Sequence, residues 1–272
     1  MNPSIMNEVN SVLDIVKSKS INVGGENIDL TDMLNRTNKK SIEYRIKDMN
    51  DIKLANYEKA NAKCKFTILP DGSDNVVFNK RYENKDICIL NFASSKNPGG
   101  GFIRGCMAQE EALCHASNLY NILSKHNDFY AYNRNHLNKA LYTDGIIFSE
   151  KCVFFRNRNK NMIPKFADVI TCAAPNFGAA RRNSVSVEQI ECTMSRRVEQ
   201  ILKVAIANNV RILALGAFGC GVFHNDPDTV ANIMATILIT RGYSEYFEEI
   251  LFPLNGTMGK NVTSFVKVFK DL

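Results

Sequence analysis

Three consecutive glycines, Gly99, Gly100 and Gly101, stand seven residues ahead of Gln109, Glu110 and Glu111 in the stretch NPGGGFIRGCMAQEE (97–111). Bare glycines let backbone amides come close to an anion, because no Cβ intervenes and positive φ is open to them. Adjacent carboxylates can share acid and base work, one giving up a proton while the other orients a substrate. The alternatives are plainer: the triplet can be a tight turn, and acidic residues in a first helical turn complement the helix dipole. That dipole lowers a glutamate pKa, whereas a second carboxylate or a bound phosphate raises it. About 100° of helix separates Glu110 from Glu111, which predicts that they address different atoms.

A second glycine-rich turn, LGAFGCGVFHNDP (215–227), repeats the pattern. Gly219 and Gly221 would again present amides, here just before a helix whose N-cap is Asp226 and whose first residue is Pro227. Phe223 could flank a sugar or base, or pack onto the core. Two such loops can clamp a diphosphate from both sides. Neither has the spacing of a dinucleotide-binding fold or a P-loop, and no GxSxG elbow is present. His115 follows Glu111 by one helical turn, where it could pair with it or sit at the surface.

These loops need a sheet to carry them. Apolar runs at 86–93, 151–156, 166–174, 210–218 and 248–254 predict strands buried on both faces, with 264–269 as a further candidate. Helical periods at 108–126 and 185–207 alternate with them; Ile190, Met194, Val198, Ile201 and Ala205 form one stripe. The predicted class is an α/β/α sandwich. Residues 67–78 suggest a hairpin around Asp71 and Gly72. Residues 1–60 read as a mainly helical N-terminal extension packed on a core of 61–272, with a turn at Gly24 and Gly25.

Composition narrows the setting. The 272 residues are 45% hydrophobic and 23% charged, with a formal charge of +6, suited to an anionic partner without specifying one. Eight cysteines lie singly, without zinc-ligand spacing, and predict no metal and reduced thiols in a cytoplasmic protein. The N-terminus carries Glu8 and Asp14 and does not read as a signal peptide; no run is long enough to span a bilayer.

Taken together, NFASSKNPGGGFIRGCMAQEE (91–111), VITCAAPNFGAAR (169–181) and LGAFGCGVFHNDP (215–227) resemble the microbial poly(ADP-ribose) glycohydrolases, a branch of the macrodomain fold. The resemblance implies a macrodomain-like sandwich with a mixed central sheet and an enzyme that hydrolyses ribose–ribose glycosidic bonds of poly(ADP-ribose) or of ADP-ribosylated proteins, releasing ADP-ribose. It implies no cofactor and no membrane, and a monomer is expected. It makes Glu111 the acid that protonates the leaving ribose oxygen and then activates water. Glu110 would orient ribose hydroxyls beside Gln109 and Asn97. Gly99, Gly100 and Gly101 would bind the diphosphate from one side and Gly219, Gly221 and Val222 from the other, with Phe223 near the cleaved ribose. Four positions depart from the pattern: Phe218, where an aromatic residue is usually Trp, His224, Arg104 and Cys106. A mono-ADP-ribosyl hydrolase and a non-catalytic ADP-ribose reader are the alternatives; the reader would need both loops but not the two glutamates.

Overall fold

A computed structural model describes residues 3–37, 41–157 and 160–271. The N-terminal part runs α1 (Pro3–Ser18), β1 (Ser20–Val23), β2 (Glu26–Asp29), α2 (Thr31–Thr37), β3 (Ser41–Tyr44) and α3 (Ile46–Asp51). Next come β4 (Lys65–Leu69), β5 (Cys88–Phe92), α4 (Gln109–Ala116), α5 (Leu119–Leu123), α6 (Asn127–Asn135), β6 (Ile146–Asn157) and β7 (Lys160–Cys172). The chain ends with α7 (Phe177–Arg182), α8 (Val187–Ala207), β8 (Ile212–Ala214), α9 (Pro227–Ala235), β9 (Glu249–Pro253) and α10 (Lys260–Phe269).

Seven strands form one mixed sheet in the order β3-β6-β7-β5-β8-β9-β4. The pairs β3/β6 and β6/β7 are antiparallel and the other four are parallel. Alternate residues of the central strands point to opposite faces, as the two-residue period requires. Leu90, Ile170, Leu213 and Ile250 enter a core beneath α8, α9 and α10. Ile89, Val169, Ala214 and Leu251 enter a second core beneath α1, α4 and α5. Both faces are covered, which explains why these strands read as continuous apolar runs. The fold is the mixed-sheet α/β/α sandwich anticipated from the sequence.

The structure corrects several local expectations. Residues 264–269 belong to helix α10, because Phe265 and Phe269 fall four apart and meet Phe252 at ring distances of 5.1 and 4.3 Å. No hairpin forms at 67–78: β4 pairs only with the parallel β9, and the chain turns through Asp71 into a 3-10 segment at 73–78. Helix 108–126 breaks at Ser117, which is extended at φ −148° and bridges to Phe154. The break lets Asn118 accept the Val153 amide at 2.9 Å. The stretch read as mainly helical also contributes β3 to the main sheet and the β1/β2 ribbon, short strands whose apolar alternation is too brief to recognise. Among the described residues no helix is long and apolar enough to cross a membrane.

Candidate active site

Strand β5 ends at Phe92 in the middle of the sheet, and α4 is fastened to that end. The Gln109 side chain accepts the Phe92 amide at 2.8 Å and donates to the Leu90 carbonyl at 2.9 Å, extending the backbone pairing of the strand. This bond pair fixes where the next two residues sit. Glu110 is 3% exposed. Its Oε1 accepts from Asn91 Nδ2 at 3.2 Å and its Oε2 from the Ser94 amide at 2.7 Å. Burial pushes its pKa up to about 8, and the neighbouring Glu111 charge adds to this, against the opposing pull of the Ser94 and Asn91 donors. Glu111 Oε1 accepts the Gly101 amide at 2.7 Å and Oε2 the Ala108 amide at 2.9 Å. The second bond is the reach-back of a third helical residue to its N-cap, so Glu111 also caps the start of the helix.

The glycines are there for the carboxylates. Gly99 and Gly100 have φ of +65° and +61°. A Cβ at Gly100 would lie 2.5 Å from Glu111 Oε1 and 2.8 Å from Glu110 Oε2. Both carboxylates therefore converge on one glycine, contrary to the expectation from helical geometry: the loop folds back over the first turn, and glutamate side chains are long enough to meet it. The Gly100 amide donates to Asn97 O at 3.0 Å, and that of Gly101 to Glu111. Gly99 lies under the loop, where a Cβ would meet the Tyr120 ring at 2.8 Å.

The second loop faces this arrangement. Gly219 has φ +76°, and a Cβ there would lie 2.6 Å from Ala174 Cβ. Asn225 Nδ2 donates to Pro175 O and Gly219 O, both at 2.9 Å, stapling the loop to the segment after β7. Among the described residues the amides of Gly221, Val222 and Phe223 serve no hydrogen bond within the protein.

Between the loops lies a cleft of about 550 Å³. Asn97, Gly100, Gly101, Gln109, Glu110 and Glu111 line one side, and Gly219, Gly221, Val222 and Phe223 the other; Gly99 does not reach it. Sequence reasoning missed Asn91, which holds Glu110, and Tyr142, which lines the cleft with its ring 5.9 Å from that of Phe223. Asn91 was hidden in an apolar strand, and Tyr142 lies in an irregular connection. A second cleft of about 750 Å³ adjoins the first through Phe92, Ala108, Gln109 and Gly221, and runs on to Asn75, His115 and Asn255. His115 is neither at the surface nor paired with Glu111. It is 7% exposed, edge-on to Phe102 at 4.9 Å, with no hydrogen-bond partner for either nitrogen, and burial lowers its pKa. Among the described residues no three His, Cys, Asp or Glu side chains form a group that could hold a metal ion.

A carboxylate pair between two glycine loops at the C-terminal ends of parallel strands can be compared with known proteins. The sequence profile of the microbial-type PARG catalytic domain, PARG being poly(ADP-ribose) glycohydrolase, matches residues 10–157. The poly(ADP-ribose) glycohydrolase of Thermomonospora curvata superposes with a TM-score of 0.90 at 27% identity, over 98% of this chain and 99% of that one. The same protein bound to the inhibitor ADP-HPD gives 0.87 at 26%, over 97% and 98%. The Deinococcus radiodurans enzyme in complex with ADP-ribose gives 0.81 at 30%, over 90% and 100%. A search of curated protein sequences returns no match. The matched profile spans more than half of the chain and includes the carboxylate pair, and with the agreement of fold over nearly the whole length it shows that this chain belongs to the microbial-type poly(ADP-ribose) glycohydrolases.

Proposed function

We propose that the cleft hydrolyses the ribose–ribose O-glycosidic bonds of poly(ADP-ribose), releasing ADP-ribose, with Glu111 as acid and base and Glu110 as the residue that orients the ribose. The observation that carries this reading is the convergence of both carboxylates on Gly100, opposite the unused amides of Gly221, Val222 and Phe223. The diphosphate rests on the second loop and the ribose lies against the carboxylates. The adjoining cleft beyond Gln109 takes the adenosine half.

Glu111 gives its proton to the leaving ribose oxygen as the bond to the anomeric carbon breaks. It then takes a proton from water, whose oxygen adds to that carbon, so the residue ends protonated as it began. Burial holds Glu110 neutral near pH 7, which lets it donate a hydrogen bond to a ribose hydroxyl. The charges facing the developing oxocarbenium ion are then the substrate's own diphosphate and the Glu111 carboxylate, rather than two ionised glutamates. Both walls of the cleft come from one chain, which supports a monomer, and the eight free cysteines support a reducing, intracellular setting.

The test compares the wild type with Glu111→Gln on purified poly(ADP-ribose). The wild type should release ADP-ribose, and the variant should lose at least about 100-fold in kcat with ADP-ribose binding largely retained. Equal turnover by the variant removes Glu111 from the chemistry. Binding without wild-type turnover identifies a reader instead.

A further inference from the structure

Two cations that line the cleft have no part in the scheme above. Lys96 precedes the first glycine loop and Arg104 closes the turn that follows it; both are exposed and both line the cleft. Neither borders the adjoining cleft assigned to adenosine. Among the described residues neither side chain has a salt-bridge or hydrogen-bond partner in the protein. An exposed cation without a partner is ordinary by itself. Two of them lining a cleft that would take a polyanion supply charge that the rest of the polymer can meet as it leaves.

Their backbones are fixed. Arg134 Nη1 donates to the Lys96 carbonyl at 3.0 Å, which also sets a third cation beside Lys96. The Arg104 amide donates to Gly101 O at 2.9 Å. The turn continues into Gly105 at φ +71°, where a Cβ would come within 3.2 Å of Ile5 on α1, and it is anchored beneath by the fully buried Phe102. The two side chains thus extend from rigid supports on the glutamate side of the site. The second glycine loop already supplies amides for the diphosphate of the unit being released. The first charged group of the leaving chain, beyond the ribose that Glu111 protonates, is another diphosphate, and a guanidinium with an ammonium matches such a group.

We propose that Lys96 and Arg104 form a subsite for the diphosphate of the leaving chain. The proposal rests on the placement of the scissile bond at Glu110 and Glu111. It makes Arg104, a departure from the family pattern, a determinant of specificity.

The test is steady-state kinetics on size-fractionated poly(ADP-ribose) for Lys96→Ala, Arg104→Ala and the double variant, at two salt concentrations, with calorimetric titration of free ADP-ribose. Each single variant should raise KM for polymer by about 5- to 10-fold while kcat changes far less. Each lost cation should also flatten the salt dependence of polymer KM by about one charge's worth. Affinity for free ADP-ribose should stay within about twofold, and Arg104→Lys should recover part of the KM. Unchanged KM and salt slope in the double variant would remove the subsite. An equal loss of ADP-ribose affinity would move both cations to the released unit and also overturn the proposal. Wild-type protein that binds ADP-ribose but releases none from polymer would instead refute the catalytic reading on which the subsite depends.

Discussion

Glu111 Oε1 and the amide of Gly101 are joined by a 2.7 Å hydrogen bond, so the third glycine of the first loop is held by the second glutamate of the helix. The amide that would cradle a phosphate is instead part of the carboxylate's mount. A phosphate oxygen that took this amide would free Oε1 of Glu111 to turn toward the leaving oxygen. The loop and the helix turn are therefore one unit, and disturbing either should move the other.

Gly100 is where this unit is tightest. Gly100→Ala forces a side chain into a φ of +61° and into the space of both carboxylates. The backbone alone should cost about 1–2 kcal/mol. Displacing the carboxylates should lower kcat by roughly 100-fold. Gly24→Ala is the matched control, since φ there is +62° and a Cβ meets nothing within 4 Å. It should show a smaller fall in melting temperature, the backbone cost alone, and unchanged turnover. Equal activity in both variants would mean that the glycine serves only the turn.

Glu110 couples the site to stability. Its pKa is raised from 4.5 to about 8, chiefly by burial, so the folded state holds a proton that the unfolded chain releases. Its contribution to stability is full below about pH 4.5 and is lost as pH rises through 8. Glu110→Gln removes the titration and keeps the shape. The variant should melt higher than wild type at pH 8.5, by an amount equivalent to roughly a few kcal/mol, with the gap closing toward pH 5. Its turnover should fall, because the amide nitrogen would face the Asn91 or Ser94 donor and turn the group away from the ribose proposed to lie against it. Parallel melting curves across this range would show that Glu110 ionises normally.

Much of this was legible in the residues, and the misses have physical causes. The stripe from Ile190 to Ala205 gave α8 because five apolar residues repeat at three- and four-residue steps, and all five are buried. Asp226 and Pro227 marked the start of α9, where Asp226 accepts the Thr229 amide at 3.1 Å. The glycine loops and the glutamates were found because their chemistry is local in sequence. What reasoning along the chain could not reach was the tertiary reason for the glycines: the approach of residues 110 and 111 to residue 100 depends on a loop folding back. Asn91, 19 residues before Glu110, becomes its partner only once β5 and α4 pack together. His115 looked like a surface residue because its burial comes from α1 and the 3-10 segment after β4, both distant in sequence.

The wall opposite the glutamates depends on a buried ion pair. Arg197 of α8 is fully buried, and its guanidinium donates to Asp144 at 2.7 and 3.1 Å as well as to the carbonyls of Leu141 and Ala173. Leu141 precedes Tyr142, and Ala173 precedes Ala174; Tyr142 and Ala174 both line the cleft. Burial would raise the Asp144 pKa, but Arg197 and Arg196 outweigh it and hold the carboxyl below its usual range. Asp144→Asn leaves Arg197 a buried cation without its counter-charge, a change that costs about 3–5 kcal/mol. The melting temperature should fall by roughly 10 °C, and KM for polymer should rise as the Tyr142 segment loosens. In the wild type the same pair makes stability fall in acid, as pH drops through the depressed pKa of Asp144, and this limb should be missing from the variant. A variant that melts within about 1 °C of wild type would show that the two carbonyls, and not Asp144, hold Arg197 in place.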